Sequence, residues 1–388
     1  MAVSFAFDGE KAIVRDLVSV QALDRSFFCV ERRQDGRFEL ELAPEEALYL
    51  IDVRNAECTN ESGTALSFNS LAKKFDRSRK FLARYFCYRD WRDRGLIARP
   101  FCEAKKNYGR SPVKKYPPGS FNGFEVKARG LFFYDDLMAV IDDDGEGERL
   151  YSNGWFGQQG TYKAKKHGRF SKLDAYEALF LMGHCGLELN VKGKRLVEEA
   201  TKRRPDFPAL YDVYEDWRLR GYVLKTGYKF GTHFRLYFPG ASPALESGEW
   251  VHSKHVIHVF PRESKMLISE WSRAIRVAHG VKKTFILAIP GAKKEVASDI
   301  DYILYHRAKD AIETPKTHGP KYAMLALSEE EEIGGQELAK AIETSKKFGL
   351  DLMLSICDRE TAVTYYLVKR IALPDSKYEY YEIEWEQP

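Results

Sequence analysis

Two hydrophobic rhythms alternate along the chain. Apolar residues recurring every three to four positions predict helices, and short apolar or alternating runs between glycines predict strands. Tyr211–Arg220 (YDVYEDWRLR) has the helical spacing and stops at Gly221. Tyr222–Leu224 and Phe234–Phe238 read as strands separated by Gly227 and Gly231, so helix, hairpin and exit turn follow in order. Ser269–Ile289 (SEWSRAIRVAHGVKKTFILAI) predicts a helix ended by Gly280 and then a buried strand.

These patterns recur. DGRFELELAPEEALYLI at 35–51 returns as HGRFSKLDAYEALFLM at 167–182, and YRDWRDRG at 88–95 as YEDWRLRG at 214–221. Two blocks in the same order indicate duplication, with copies near 1–120 and 125–240. GQELAKAIETSKKFGLDLMLSI at 335–356 repeats the helix-then-strand plan of 269–289, and Asp301–Arg307 reads as echoed by Val363–Arg370. The proline-bearing Ser111–Gly123 and the stretch Ala311–Pro320 read as linkers. Tyr116 lies near the place that Tyr237 holds in the second copy, but prolines break the strand around it, so a structural role is expected. The acidic run Asp142–Glu148 lacks the alternating pattern of a calcium loop and reads as a solvated turn.

Composition narrows the class. The 388 residues suffice for two or three domains, and 44% hydrophobic with 30% charged residues describes a globular chain. No apolar run approaches about 18 residues, and the first residues lack a signal-peptide core, so a cytoplasmic protein with no membrane association is expected. Six scattered cysteines without a CxxC are read as reduced thiols, and no zinc or di-metal ligand spacing is present. A net charge of +4 does not by itself argue for nucleic acid.

Three segments carry a resemblance. RGYVLKTGYKFGTHFRLYFPG (220–240) resembles the centre of the archaeal tRNA-splicing endonucleases, where an RGY-VVKTG-KFG-DFRVY pattern ends on a catalytic tyrosine. The matching residue is Tyr237; the family usually has an aspartate or similar residue where His233 stands. Trp250–Phe260 is similar to an HSxYLV strand, which places the family's histidine at His252, and RVAHGVKK (276–283) is similar to RVAHSVRK, which places its lysine at Lys283. The resemblance implies a mixed α/β (α+β) fold: duplicated small N-type domains plus two C-type nuclease-like domains with central sheets flanked by helices. The expected units are 1–122 (degenerate N-type with linker), 123–244 (N-type of the catalytic unit), 245–310 (catalytic C-type) and 311–388 (linker and structural C-type). In the last, Leu350 falls opposite Lys283.

Those residue types suit metal-independent RNA cleavage without a cofactor. The reaction needs a proton taken from a ribose 2′-OH, a proton given to the departing 5′-oxygen, and charge stabilisation at phosphorus. The resemblance gives these roles to Tyr237, His252 and Lys283, implies 2′,3′-cyclic phosphate and 5′-OH ends, and makes precursor tRNA with a bulge–helix–bulge motif the partner. It also makes Arg276 and Arg307 candidates for clamping a bulged base. The longer hairpin of the second copy adds Lys163, Lys165 and Lys166, followed by Arg169, as candidate phosphate contacts. With one triad per chain and two cuts per intron, a homodimer is expected, with Asp358 and Glu360 as an acidic docking turn. The alternatives are a non-catalytic scaffold subunit and a winged-helix nucleic-acid-binding protein.

Overall fold

The computed structural model describes residues 3–28, 30–34, 37–75, 79–160, 168–243, 251–297, 300–308 and 311–388. Its fold is mixed α/β, with helices packed on several sheets. Two small five-stranded sheets share one plan. In the first the spatial order is Val30–Gln34, Arg37–Leu42, Ala12–Val14, Ser4–Phe7, Glu57–Asn60; in the second it is Gln158–Gln159, Ser171–Asp174, Met138–Ile141, Arg129–Phe133, Glu188–Leu189. In each, the last strand lies parallel to its neighbour in that order and the other pairings are antiparallel.

The acidic run predicted as a turn instead starts a helix. Asp143 caps Asp144–Gly154 by accepting the Glu146 N–H, and Asp144 and Glu146 sit in the first turn, where carboxylates favour the helix dipole.

The third sheet has eleven strands and joins everything else. Its ten-strand path, numbered in chain order, comprises β1 (Ala98–Pro100), β2 (Val223–Thr226), β3 (Phe234–Tyr237), β4 (His255–Val259), β5 (Thr284–Ala288), β6 (Tyr302–Leu304), β7 (Tyr322–Ser328), β8 (Asp351–Cys357), β9 (Val363–Ala372) and β10 (Tyr380–Glu386). The spatial order is β2-β3-β4-β5-β10-β9-β8-β7-β6-β1. That order is a palindrome of roles. On either side of the β10–β9 seam, an antiparallel strand pair at the edge leads to a parallel pair, β4–β5 or β7–β8. Each parallel pair is bridged by a helix, α3 (Ile268–Gly280) or α4 (Gly335–Lys347). The short strands before these helices, Lys265–Leu267 and Glu332–Gly334, pair with each other across the same axis.

The first small domain therefore belongs to the far half. Its last helix, α1 (Phe81–Asp93), runs into β1 beside β6, while the corresponding α2 (Phe207–Leu219) runs into β2 beside β3. Both helices end in the repeated Arg-Gly turn, with positive φ at Gly95 (78°) and Gly221 (75°) that favours glycine. One apolar core joins the first small domain to Tyr322, Met324, Met353 and Tyr365, and a second joins the other small domain to Ile257, Val259, Ile286 and Ala288. A third lies beneath α3 and α4. Trp91 and Trp217 anchor the first two cores at equivalent places, and truncating either to alanine costs about 3–5 kcal/mol.

The stretch read as a linker at 111–123 is a strap laid across the sheet. Lys114–Lys115 pair with β9, and the Tyr116 hydroxyl donates to Glu382 Oε1 at 2.6 Å. Burial and that carboxylate push the Tyr116 phenol far above its usual range. Asp301–Arg307, read as an echo of Val363–Arg370, instead contains β6 and occupies the position that β3 holds in the other half. The hairpin that suggested a winged helix is the end of the large sheet, with β3 paired directly to β4. Among the described residues, no helix is long and apolar enough to cross a membrane.

Candidate active site

Tyr237 ends β3, opposite Val223 of β2, and is only 5% exposed. Its ring packs on Trp155 of the second small domain, with centroids 4.5 Å apart, and Arg235 Nη1 donates to its hydroxyl at 3.2 Å. The phenol lies between two cavities. One, about 420 Å³, is shared with His252, Lys254 and His255. The other, about 230 Å³, is walled by Trp155, Lys172, Asp174, Lys225 and Arg235.

His252 is exposed in the segment leading into β4. Its neighbour Ser253 is buried and receives Lys283: Nζ donates to the Ser253 carbonyl and to its Oγ, the latter at 3.1 Å. The Lys283 ammonium also sits 4.7 Å from the Phe230 ring centroid. Tyr237 and His252 thus share a cleft, and Lys283 is tied to the residue beside His252. The β4 histidines differ in kind. Burial lowers His255 to about 4, between Tyr116 and Phe238, and His258 to about 4, so both are neutral at pH 7.

His233, the departure from the family pattern, has a definite task. Its Nδ1 accepts the Val259 N–H at 2.9 Å, and burial lowers its pKa to about 2. In the far half Asp301 does the same work: Oδ2 accepts the Ala326 N–H at 2.8 Å. Both residues also donate their own N–H across the strand pair, His233 to Ile257 and Asp301 to Met324. A neutral imidazole nitrogen replaces a carboxylate as acceptor.

The same register locates a ghost of the site. Tyr305 follows β6 and donates its N–H to Ile97, two residues after Gly95, as Tyr237 lies opposite Val223, two after Gly221. Gly319 then stands where His252 does. Leu350 stands where Lys283 does, since both backbone N–H groups reach five residues back, to Ser345 and Ala278. The far half keeps the tyrosine and lacks the other two.

The remaining candidates are spread out. Arg276 is exposed on α3 and donates to Ser272 Oγ at 3.2 Å. Arg307 lies past β6 and donates to the Arg94 carbonyl at 2.9 Å. Seven strand spacings separate β6 from β3, about 30 Å, so Arg307 and Tyr237 of one chain cannot share a phosphate. Lys163, Lys165 and Lys166 lie outside the described residues. Arg169 is exposed at the base of that hairpin, whose Gln158 and Lys172 line the cavity beside Tyr237. Asp358 Oδ1 accepts the N–H groups of Glu360 and Ala362, which shapes the acidic turn and leaves Glu360 exposed. Among the described residues, no group of three or more His, Cys, Asp or Glu is placed to hold a metal ion.

Comparison with known proteins decides the family. Residues 207–302 match the model of the tRNA intron endonuclease catalytic C-terminal domain, a span that opens at α2 and closes where the chain enters β6. The tRNA-splicing endonuclease of Hyperthermus butylicus is 34% identical over 182 residues, 45% of this chain and 95% of that protein. The chain belongs to the tRNA-splicing endonuclease family. The tRNA-splicing endonuclease of Methanopyrus kandleri is 33% identical over 41% of this chain and 88% of its own, and that of Methanosarcina mazei 30% identical over 47% and 49%. The matched span carries the tyrosine, histidine and lysine; it does not reach their counterparts Gly319 and Leu350.

Arg235 and Trp155 escaped the sequence reading. Strand alternation could have found Arg235, because residues two apart on β3 share a face. Nothing in the sequence around Trp155, 82 residues upstream of Tyr237, marks its contact.

Proposed function

We propose that this protein excises introns from precursor tRNA at bulge–helix–bulge splice sites. The observation that carries the reading is a tyrosine and a histidine on one cleft, with a lysine secured to the histidine's neighbour. Tyr237 as phenolate takes the proton of the attacking 2′-OH, His252 protonates the departing 5′-oxygen, and Lys283 stabilises the negative charge gathering on the phosphate oxygens. The products are a 2′,3′-cyclic phosphate and a 5′-OH. The three residues supply base, acid and electrostatic stabiliser, so the step is assigned no metal and no cofactor.

Two such cuts require two triads, hence a two-fold dimer. The distance of Arg307 from Tyr237 within one chain favours the same arrangement, since an Arg307 that serves this cleft would come from the second chain. The Asp358–Glu360 turn is assigned to docking, and Lys163, Lys165, Lys166 and Arg169, which lie in sequence between the cavity-lining Gln158 and Lys172, to phosphate contacts that broaden the accepted bulges. The decisive experiment incubates purified protein with an intron-bearing transcript in EDTA and identifies the ends. Cyclic phosphate and 5′-OH ends are expected; loss of cleavage in EDTA overturns the metal-independent mechanism, and a monomer that makes both cuts overturns the dimer.

A further inference from the structure

We infer that Arg235 is a positioning residue that fixes the Tyr237 phenol and biases it toward the phenolate, an inference that rests on Tyr237 being the base. Residues 235 and 237 share one face of β3. Arg235 Nε donates across the hairpin to the Thr226 carbonyl at 2.8 Å, which orients the planar fork, and Nη1 then donates to the phenol oxygen at 3.2 Å. A hydrogen bond given to the phenol oxygen strengthens when that oxygen is charged, so it favours deprotonation. A guanidinium does not lose its own proton at any pH the enzyme meets, so the bias persists and the proton must go to Tyr237.

Among the described residues, the surroundings leave that charge uncancelled. Facing the phenol from the small domain are Lys172, Asp174 and Glu177, with Lys225 from β2; on the other side lie His252, Lys254 and His255. Glu177 is held by Lys225 at 2.6 Å, and it also closes the capping box with Asp174. Burial, and then the Glu177 charge, push Asp174 toward its neutral form. His255 is held neutral by burial. Lys172 and Lys254 are exposed and screened by water. Among the described residues, Arg235 makes no ion pair with a carboxylate.

The test places 3-fluorotyrosine at position 237 of the full chain and follows its fluorine shift against pH, without RNA. Arg235→Gln should raise the titration midpoint by about one pH unit or more, and Arg235→Lys, which keeps the charge but not the fork, by less. In single-turnover cleavage the ascending limb of the pH profile should move by the same amount, with about a tenfold loss at neutral pH that recovers at higher pH. An unmoved fluorine midpoint overturns the inference, as does a loss of cleavage equal at every pH with the midpoint unchanged. A moved midpoint with an unmoved rate limb upholds the Arg235–Tyr237 link and overturns the assignment of Tyr237 as base.

Discussion

The two halves of the large sheet have the same skeleton and different contents. In both, a tyrosine stands at the end of the second strand, and an acceptor just before that strand holds the same backbone N–H of the next. In both, a helix returns the chain to the parallel partner through a turn closed by the same five-residue hydrogen bond. The near half then adds His252 and Lys283; the far half has Gly319 and a Leu350 that is 1% exposed. A buried leucine secures the turn as well as a lysine tied to Ser253, so the backbone does not need the lysine. What distinguishes the halves is the set of side chains placed on a shared frame.

The comparison breaks most sharply if the near half is rewritten to resemble the far one. Lys283→Leu and His252→Gly should each lower single-turnover cleavage by on the order of 10²–10⁴-fold, with RNA binding in gel shifts nearly unchanged. Tyr237→Phe should do the same, while Tyr305→Phe should leave the rate within about twofold. A comparable loss at Tyr305 would show that the far half takes part in the reaction.

A smaller effect separates His233 from Asp301. Removing the acceptor with His233→Ala leaves the Val259 N–H unpaired and should cost about 1–3 kcal/mol, whereas His233→Asp restores the far half's solution. The pH dependence runs in opposite senses. His233, lowered to about 2 from 6.5, leaves the unfolded chain holding more protons between those values, so stability is lost as pH falls below about 6.5. Asp301, raised by burial to about 6 from 3.8, makes the native state hold more, so its contribution falls as pH rises from about 4 to 6. The thermal midpoint of His233→Asp should therefore drop less than that of the parent between pH 6.5 and 4.5; an equal drop would remove His233 from the account of acid sensitivity.

Among these comparisons the glycine turns should differ least. A Cβ at Gly95 meets nothing within 4 Å, whereas at Gly221 it would lie 2.8 Å from the Ser120 carbonyl oxygen of the strap. Gly95→Ala should cost about 1 kcal/mol from its positive φ alone, and Gly221→Ala more. Equal midpoints in thermal melts would mean the strap does not press on the catalytic half.

Local features were legible in the sequence and distant pairings were not. The Arg-Gly turns, the helix before β5 and the candidate triad each rest on contiguous patterns, and the strand carrying Tyr237 lies where alternation and glycines put it. The union of β1 with β6 was invisible, because two three-residue strands about 200 residues apart carry no shared periodicity. For the same reason Asp301–Arg307 was matched to β9: a Tyr-rich heptad fits either partner until register decides. Ser111–Gly123 looked like a linker because its prolines forbid a regular strand, and its attachment depends on Glu382, far along the chain.

The seam between β10 and β9 gives this enzyme an unusual timetable. Strand β5, next to Lys283, finds its outer partner only in β10, the last strand of the sheet to leave the ribosome. The first small domain likewise waits through about 200 residues of synthesis before β6 arrives to receive it. Non-local pairings of this kind slow folding and leave strand edges uncovered in the meantime. The half that carries Tyr237, His252 and Lys283 therefore keeps an open strand edge until β10 pairs with β5.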